Sequence, residues 1–164
     1  MTIVEQQSPH ELSKFLGQKL LARNWRVATA ESCTGGGIAA AITAIDGSSS
    51  WFEYGIVSYA NNAKEKLLHV NNEILVREGA VSQAAVEQMV KGVLGLSNAN
   101  IAVAVSGIAG PSGGSVEKPV GTVWFAWGLA SGAIRSRCYS FSGDRVSIQQ
   151  QSIDCALRGL LDLI

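Results

Sequence analysis

Residues 27–37, VATAESCTGGG, join an apolar run typical of a buried strand to an Ala- and Ile-rich segment typical of a helix. Ser32 stands in the polar turn between the two. The first amides of a helix have no partner inside that helix, so such a turn brings free N–H donors close to the serine hydroxyl. These donors can hold a phosphate or an oxyanion, and Ser32 is therefore a candidate nucleophile.

The composition narrows the class of protein. The chain has 164 residues, of which 47% are hydrophobic and 16% charged, a balance typical of a compact globular protein. We therefore expect one domain over residues 1–164. Thirteen basic residues balance thirteen acidic ones, so the net charge indicates neither a nucleic-acid partner nor a membrane surface.

The cysteines and residues 1–10 indicate the cellular compartment. Cys33, Cys138 and Cys155 form no C-x-x-C pair, so we expect neither a disulfide framework nor a metal site. Residues 1–10 are polar and contain no signal sequence, and no apolar run approaches the length of a membrane span. The sequence thus predicts a cytoplasmic protein with reduced thiols.

Helical and strand patterns alternate along the chain. Helices are predicted over residues 9–24 and 36–44, after caps at Asn61 or Asn62, at Ser82 and at Asp144. Strands are predicted over residues 26–31, 54–59, 101–105, 122–127 and 134–141, the last two as an antiparallel pair. The core face of the last helix is predicted to comprise Val146, Ile153, Leu157, Leu160 and Ile164. This order implies a three-layer α/β/α sandwich with a mixed, mostly parallel sheet of about five strands.

Polar residues follow several of these strands. Ligand sites of open α/β sheets form outside the carboxyl ends of the parallel strands. Ser32 ends the first predicted strand, and Ser106 ends the third. Tyr59 and Lys64 follow the second. If the last strand also runs parallel to these, Arg145 reaches the same edge, and four segments converge on one pocket.

Ser32 needs a base to act as a nucleophile. His10 and His69 are the two histidines, and neither stands at a strand's carboxyl end, which argues against a Ser-His-Asp arrangement. Lys64 lies in the first turn of a predicted helix, where the helix dipole and burial both lower the pKa of its ammonium group. A neutral lysine can deprotonate the serine, and the amides of Thr34, Gly35 and Gly36 can hold the resulting oxyanion. This combination is typical of an amide or ester hydrolase.

Other interpretations stay open from the residues alone. Ser32 is a helix cap in the simplest alternative, and Cys33 is the second candidate nucleophile because helix N-termini lower thiol pKa values. Alternation along the strand directs Cys33 to the face opposite Ser32, so it ranks below the serine. A nucleotide-binding regulatory domain without catalysis is the main functional alternative, and an amidase for a different small amide is another.

Seven segments carry a resemblance to a known family. They are AESCTGG (30–36), GSSSWF (47–52), VSYANNAK (57–64), GAVS (79–82), SGIAGP (106–111), KPVGTV (118–123) and FSGDR (141–145). In this order they resemble the motifs of the CinA C-terminal domain family, in its stand-alone nicotinamide-nucleotide amidohydrolase form. Several long motifs in the right order make the resemblance specific.

The resemblance implies a fold, an activity and site residues. It implies an α/β/α sandwich, a homodimer, no metal or cofactor, and hydrolysis of the carboxamide of nicotinamide mononucleotide to nicotinate mononucleotide and ammonia, in pyridine-nucleotide recycling. Ser32 matches the family's nucleophile and Lys64 its base. Tyr59 and Ser106 match polar residues of the catalytic centre, and Arg145 matches a site arginine.

The substrate phosphate needs a partner of its own. We expect it at Arg145 together with the Gly-rich loop of residues 106–115, which includes Gly107 and Gly110. Lys118 is a weaker candidate.

Overall fold

The computed structural model describes residues 7–164, which form five strands and six α-helices. The strands are β1 (Val27–Glu31), β2 (Phe52–Val57), β3 (Ile101–Gly107), β4 (Thr122–Leu129) and β5 (Ile134–Ser140). The helices are α1 (Pro9–Arg23), α2 (Gly37–Thr43), α3 (Asn61–Leu68), α4 (Asn72–Arg77), α5 (Gln83–Leu96) and α6 (Arg145–Leu161), and Ser48–Ser50 form a 3₁₀ turn. The expectations for residues 1–10 and for a domain over 1–164 include residues 1–6, which lie outside the described part.

The five strands form one mixed sheet in the order β2-β1-β3-β4-β5. Strand β1 pairs in parallel with β2 and with β3, whereas β4 pairs antiparallel with both β3 and β5. Four of the five strands therefore run in the same direction, and the predicted mixed, mostly parallel sheet is confirmed. The end of β5 lies at the same edge of the sheet as the ends of β1 to β3, so the start of α6 also reaches that edge.

The sheet has a different side-chain composition on each face. One face packs against α1, α2 and α6 and carries large residues such as Val103, Phe125 and Trp127. The other face packs against α5 and carries alanines, among them Ala28 and Ala104. Small side chains let a helix approach the sheet closely, so the alternation of alanine with larger residues in β1 and β3 produces the three predicted layers.

Helix α3 is held against α5 at close range. A Cβ atom added to Gly92 of α5 would lie 2.1 Å from the carbonyl oxygen of Leu68, the last residue of α3. Only glycine fits at this contact. The position of α3 is therefore fixed by backbone contact, which matters because α3 carries Lys64.

Side-chain caps begin three of the six described α-helices as predicted. Ser8 forms a capping box with Glu11, and Pro9 occupies the first position of α1. Ser82 accepts from the amide of Ala85 at the start of α5, and Asp144 accepts from that of Ser147 at the start of α6. These caps fix where the helices on both faces begin.

Several details differ from the sequence-based expectations. Strand β2 spans Phe52–Val57 instead of residues 54–59, and β3 continues to Gly107, so Ser106 lies in the strand and not in the loop after it. The cap of α3 is Ala60 without a side-chain bond, so neither Asn61 nor Asn62 caps it; Asn61 is already the first helical residue. Helix α4, which Asn71 caps, was not predicted because six residues are too short to show a helical period. Leu157 and Leu160 are buried, but Val146 is 58% exposed because it lies in the first turn of α6, where Ile148 fills the core position.

No helix within residues 7–164 combines the length and the apolar character needed to cross a membrane. The same residues contain no group of three or more His, Cys, Asp or Glu side chains placed to hold a metal ion.

Candidate active site

The strand register brings three serines to one edge of the sheet. Glu31 pairs with Val57 of β2 and with Val105 of β3, so the next residues of the three strands, Ser32, Ser58 and Ser106, lie level with one another. The amide of Ser32 donates to the carbonyl of Val105, and the amide of Ser58 donates to that of Glu31. Because both neighbours are hydrogen-bonded to β1, the nucleophile candidate stands on a rigid part of the sheet.

Lys64 reaches Ser32 from α3. Its Nζ lies 2.9 Å from Oγ of Ser32, and the lysine side chain is 1% exposed. The same nitrogen lies 2.7 Å from the carbonyl oxygen of Ser58 and 3.1 Å from that of Tyr59. Three oxygens therefore surround the amine.

This environment determines what the amine can do. Burial lowers the pKa of Lys64 from 10.5 to about 8. A carbonyl oxygen can only accept a hydrogen bond, so two N–H groups of a neutral amine donate to Ser58 and Tyr59. Its lone pair is then directed at the hydroxyl of Ser32. In the neutral state Lys64 is therefore oriented to accept the serine proton.

Both residues open into one cavity. This cavity has a volume of about 340 Å³. The predicted site residues that line it are Ser32, Lys64, Tyr59, Ser106, Gly107, Gly110 and Arg145. Thr34, Gly35 and Gly36 do not belong to its lining. The structure thus brings together residues from the turn after β1, from α3, from the end of β3 with the loop that follows it, and from the start of α6, as the topology argument expected.

The start of α2 is occupied by a carboxylate of the chain itself. The carboxylate of Glu31, which is fully buried, accepts from the amides of Ile38 (2.9 Å) and Ala39 (3.0 Å). It also accepts from the hydroxyl of Thr34 at 2.6 Å. The expectation that unpartnered amides of this helix hold a phosphate or an oxyanion is therefore wrong for these two amides, because Glu31 already satisfies them.

The turn itself leaves fewer free amides than expected. The amide of Gly35 donates to the carbonyl of Ser32 at 3.0 Å. The amides of Thr34 and Gly36 donate to no acceptor among residues 7–164. Of the three predicted oxyanion donors, two thus remain without a protein acceptor.

Arg145 connects two walls of the cavity. Its guanidinium group donates to the carbonyl of Gly110 at 2.7 Å and to the phenol oxygen of Tyr59 at 2.9 Å. Tyr59 thus contacts the lysine through its main chain and the arginine through its side chain, and it is 58% exposed. Ser106 is 1% exposed, and its hydroxyl has no hydrogen-bond partner among the described residues.

Cys33 lines the same cavity but has the character of a buried thiol. It is 5% exposed, and burial raises the pKa of its thiol from 9.0 to about 12. A thiol with such a pKa stays protonated at neutral pH and is a poor nucleophile.

The remaining candidates lie apart from the cavity. The ammonium group of Lys118 donates to the carbonyl of Glu78. His69 caps the end of α3, His10 lies in the first turn of α1, and neither residue belongs to the cavity lining.

Two contacts at the site were missed by the sequence analysis. Glu31 lies in the AESCTGG segment (30–36), and an acidic residue just before a helix is a signal for an anion at the helix start. Gln149 of α6 donates to the carbonyl of Cys33 at 3.0 Å, across 116 positions of the chain. Its position one turn after Arg145 on α6 is the signal that could have indicated it.

Comparison with known proteins gives consistent results. The family model for the CinA C-terminal domain matches residues 9–164. A curated protein of Pseudomonas putida, named nicotinamide-nucleotide amidohydrolase PncC, is 53% identical over 152 residues, which cover 93% of this chain and 94% of that protein. A protein of the same name from Escherichia coli K12 is 51% identical over 92% of this chain and 91% of its own length.

Solved structures agree with the fold. The crystal structure of competence/damage inducible protein CihA from Agrobacterium tumefaciens aligns with a TM-score of 0.94 at 41% sequence identity, over 99% of both chains. A competence-damaged protein (CinA) superfamily structure from Escherichia coli aligns with a TM-score of 0.93 at 34% identity, over all of this chain and 95% of the other.

Proposed function

Because this chain belongs to the CinA C-terminal domain family, we propose that it hydrolyses the carboxamide of nicotinamide mononucleotide to nicotinate mononucleotide and ammonia. Its curated relatives at 51–53% identity carry the name of that activity. The observation that carries the mechanism is the 2.9 Å contact between Nζ of Lys64 and Oγ of Ser32 at the wall of a cavity.

In the proposed first step, neutral Lys64 accepts the proton of Ser32 while Oγ attacks the carboxamide carbon. The carbonyl oxygen becomes an oxyanion, and the amide of Cys33 is a donor next to the serine that can hold it, because Cys33 lines the cavity and its amide donates to no acceptor among residues 7–164. Lys64 then gives its proton to the leaving nitrogen, and the C–N bond breaks. The products of this step are ammonia and a nicotinoyl ester on Ser32.

In the second step, water attacks the ester carbon and Lys64 accepts a proton from that water. The bond to Oγ breaks, Ser32 regains its proton, and nicotinate mononucleotide leaves. Ser106 lies level with Ser32 with an unpartnered hydroxyl, so we assign it to proton relay. Tyr59 orients the lysine through its carbonyl. No step requires a metal or an organic cofactor.

We assign the phosphate of the substrate to Arg145 and the glycines beside it. Arg145 lines the cavity next to Gly107 and Gly110, and its guanidinium group carries the positive charge there. A planar guanidinium group forms bidentate bonds with phosphate oxygens. Gly107 and Gly110 let the backbone approach the ligand. The nicotinamide ring would then lie between the phosphate site and Ser32.

The test measures ammonia released from nicotinamide mononucleotide by purified protein. We expect Ser32→Ala and Lys64→Arg to abolish release, because arginine keeps the charge but cannot act as a base at neutral pH. Ser49→Ala and Lys66→Arg are the matched controls, since both residues are exposed and outside the cavity. Wild-type release by Ser32→Ala would contradict the nucleophile.

The same experiment separates the alternatives. Binding of the mononucleotide without ammonia release would favour a non-catalytic nucleotide-binding regulatory domain. Equal rates with nicotinamide or its riboside would favour an amidase for other small amides, and loss of rate without the phosphate would support the phosphate site.

We also propose a homodimer through the β5 edge of the sheet. A cavity of about 900 Å³ lies between β5 and α6, and its walls carry the stacked rings of Tyr139 and Phe141. Arg137 and Asp162 also line this surface, and the side chain of Asp162 is largely exposed, so two copies can pair their opposite charges about a two-fold axis. Light scattering after size-exclusion chromatography tests this, and Arg137→Glu should weaken the dimer. The cytoplasmic location stays a prediction that cell fractionation would test.

A further inference from the structure

Lys118 joins two segments of the chain to which the proposed function gives no role. It lies in the segment KPVGTV (118–123), and its ammonium group donates to the carbonyl of Glu78, which precedes the segment GAVS (79–82). Lys118 is partly buried, and its ammonium group forms no ion pair within residues 7–164. Its charge is therefore directed at a main-chain carbonyl.

The carbonyl of Glu78 is a favourable acceptor for a cation. Glu78 caps the end of α4, and Gly79 follows with a φ of 80°. The last carbonyls of a helix have no partner inside that helix and form the negative end of its dipole. The contact is close, because a Cβ atom added to Gly79 would lie 3.4 Å from Nζ of Lys118. Lys118 thus holds the end of α4 from 40 positions away in the chain.

Both sides of this hydrogen bond lead to the cavity described above. Its lining includes residues of the turn after α4 and of the loop after β3, namely Ala80, Val81, Gly110, Ser112 and Gly113. The loop packs against Val120, two positions after Lys118: a Cβ atom added to Gly110 would overlap Cγ1 of Val120, and one added to Gly114 would lie 2.8 Å from the Val120 amide nitrogen. Lys118 and Val120 therefore connect these two parts of the lining.

We propose that Lys118 is a positioning residue for the amidase reaction: its hydrogen bond to Glu78 holds the turn after α4 and the loop after β3 in the arrangement that binds the substrate. This inference rests on the proposed function, because the substrate is that of the reaction. Lys118 does not line the cavity and forms no hydrogen bond with Ser32 or Lys64. Its role is therefore in substrate affinity and not in the chemical step.

The test compares ammonia release by Lys118→Met and Lys66→Met. Methionine keeps most of the lysine stem but has no donor, and Lys66 is an exposed residue of α3 outside the cavity. We expect Lys118→Met to raise KM about threefold to tenfold with little change in kcat, because the arrangement that binds substrate is then populated less often. The pH at which the rate rises should stay unchanged, because the contacts of Lys64 are intact. A KM equal to that of Lys66→Met would overturn the proposal.

The riboside of nicotinamide distinguishes positioning from direct binding of the phosphate by Lys118. Its inhibition constant against the mononucleotide should rise in Lys118→Met by about the same factor as KM, because both ligands occupy the same cavity. A phosphate ligand would affect the mononucleotide alone. An effect confined to the mononucleotide would therefore overturn the positioning role.

A measurement without substrate separates this proposal from the proposed function. The amides of Glu78 and Gly79 donate to carbonyls one turn earlier in α4. Their hydrogen–deuterium exchange, followed by NMR, should be faster in Lys118→Met than in the wild type or Lys66→Met, because the end of α4 has lost its contact. If the wild-type chain released no ammonia, the proposed function would fail while faster exchange still supported the contact of Lys118 with α4. Unchanged exchange would refute the role of Lys118 whatever the activity.

Discussion

The amine of Lys64 and the hydroxyl of Ser32 lie 2.9 Å apart although 32 positions separate them in the chain. Strand β1 fixes the serine, and α3, packed against α5, fixes the lysine. The contact is buried. Ser32 is held by a backbone hydrogen bond to β3, and Lys64 is held by carbonyl oxygens. A mechanism that depends on a neutral amine makes the rate depend on pH.

We expect kcat/KM for ammonia release to rise with pH and to level off above about 8, the pKa to which burial lowers Lys64. Below that pH the protonated fraction dominates, so the rate should fall about tenfold per pH unit. Initial rates between pH 6 and 10 measure this. A rate independent of pH over this range would exclude Lys64 as the base.

The same shift has a consequence for stability. The unfolded chain keeps the Lys64 proton up to pH 10.5 and the folded chain only up to about 8, so unfolding takes up a proton between these values. Stability of the wild type should therefore rise relative to Lys64→Met by about 3 kcal/mol as the pH increases from 8 to 10.5.

Urea unfolding of both proteins at several pH values measures this difference. The buried thiols titrate in both proteins and cancel in the comparison. Lys66→Met, at an exposed position, should follow the wild type at every pH. A constant gap between the wild type and Lys64→Met would show that the Lys64 pKa is not lowered.

Cys33→Ala should keep ammonia release of the same order as the wild type. The thiol lines the cavity, but burial raises its pKa to about 12, and it makes no side-chain hydrogen bond to Ser32 or Lys64. Iodoacetamide at pH 7.5 should likewise leave the rate unchanged during a short exposure. Inactivation of Cys33→Ala comparable to that of Ser32→Ala would make the cysteine the nucleophile.

Arg145→Ala should discriminate between substrates with and without a phosphate. Loss of a charge-assisted hydrogen bond corresponds to about 10- to 100-fold in kcat/KM for the mononucleotide. The riboside, which has no phosphate, should be affected much less. Equal losses for both substrates would mean that Arg145 acts through Tyr59 and Gly110, the two residues to which it donates.

Glu31→Gln should destabilise the fold by about 1–3 kcal/mol, measured by urea unfolding. The carboxylate accepts three hydrogen bonds, whereas the NH₂ group of glutamine would face one of the donors. Glu73→Gln, an acidic residue in the first turn of α4 that is partner to no buried donor, is the matched control and should change stability far less. Equal stability of the two variants would show that Glu31 is not required at the α2 start.

Much of the site follows from local sequence, because strand ends, glycines and caps are local signals. The polar residues after β1, β2 and β3 could be placed at one edge from topology alone, and the register of Glu31 with Val57 and Val105 confirms it. The side-chain directions could not be predicted in the same way. The phenol of Tyr59 points to Arg145, which depends on packing between elements 86 positions apart.

The start of α2 is a second place where the direction of a side chain could not be predicted from the sequence. The sequence indicates free amides after Ser32, but whether a nearby carboxylate turns towards them depends on its rotamer and on the burial around it. Only the folded chain shows that Glu31 does so. The cap at Ala60 and the contact of Gln149 with Cys33 are likewise set by tertiary packing.

The Glu31 carboxylate occupies the start of α2, so dissolved anions do not bind at that helix start. A helix start that bound dissolved anions would carry a charge that varied with their concentration. Here the negative charge at the helix start belongs to the polypeptide, so dissolved phosphate or sulfate does not replace it there. In the proposed function, an anionic substrate is therefore recognised by Arg145 and the loop after β3 and not by the start of α2.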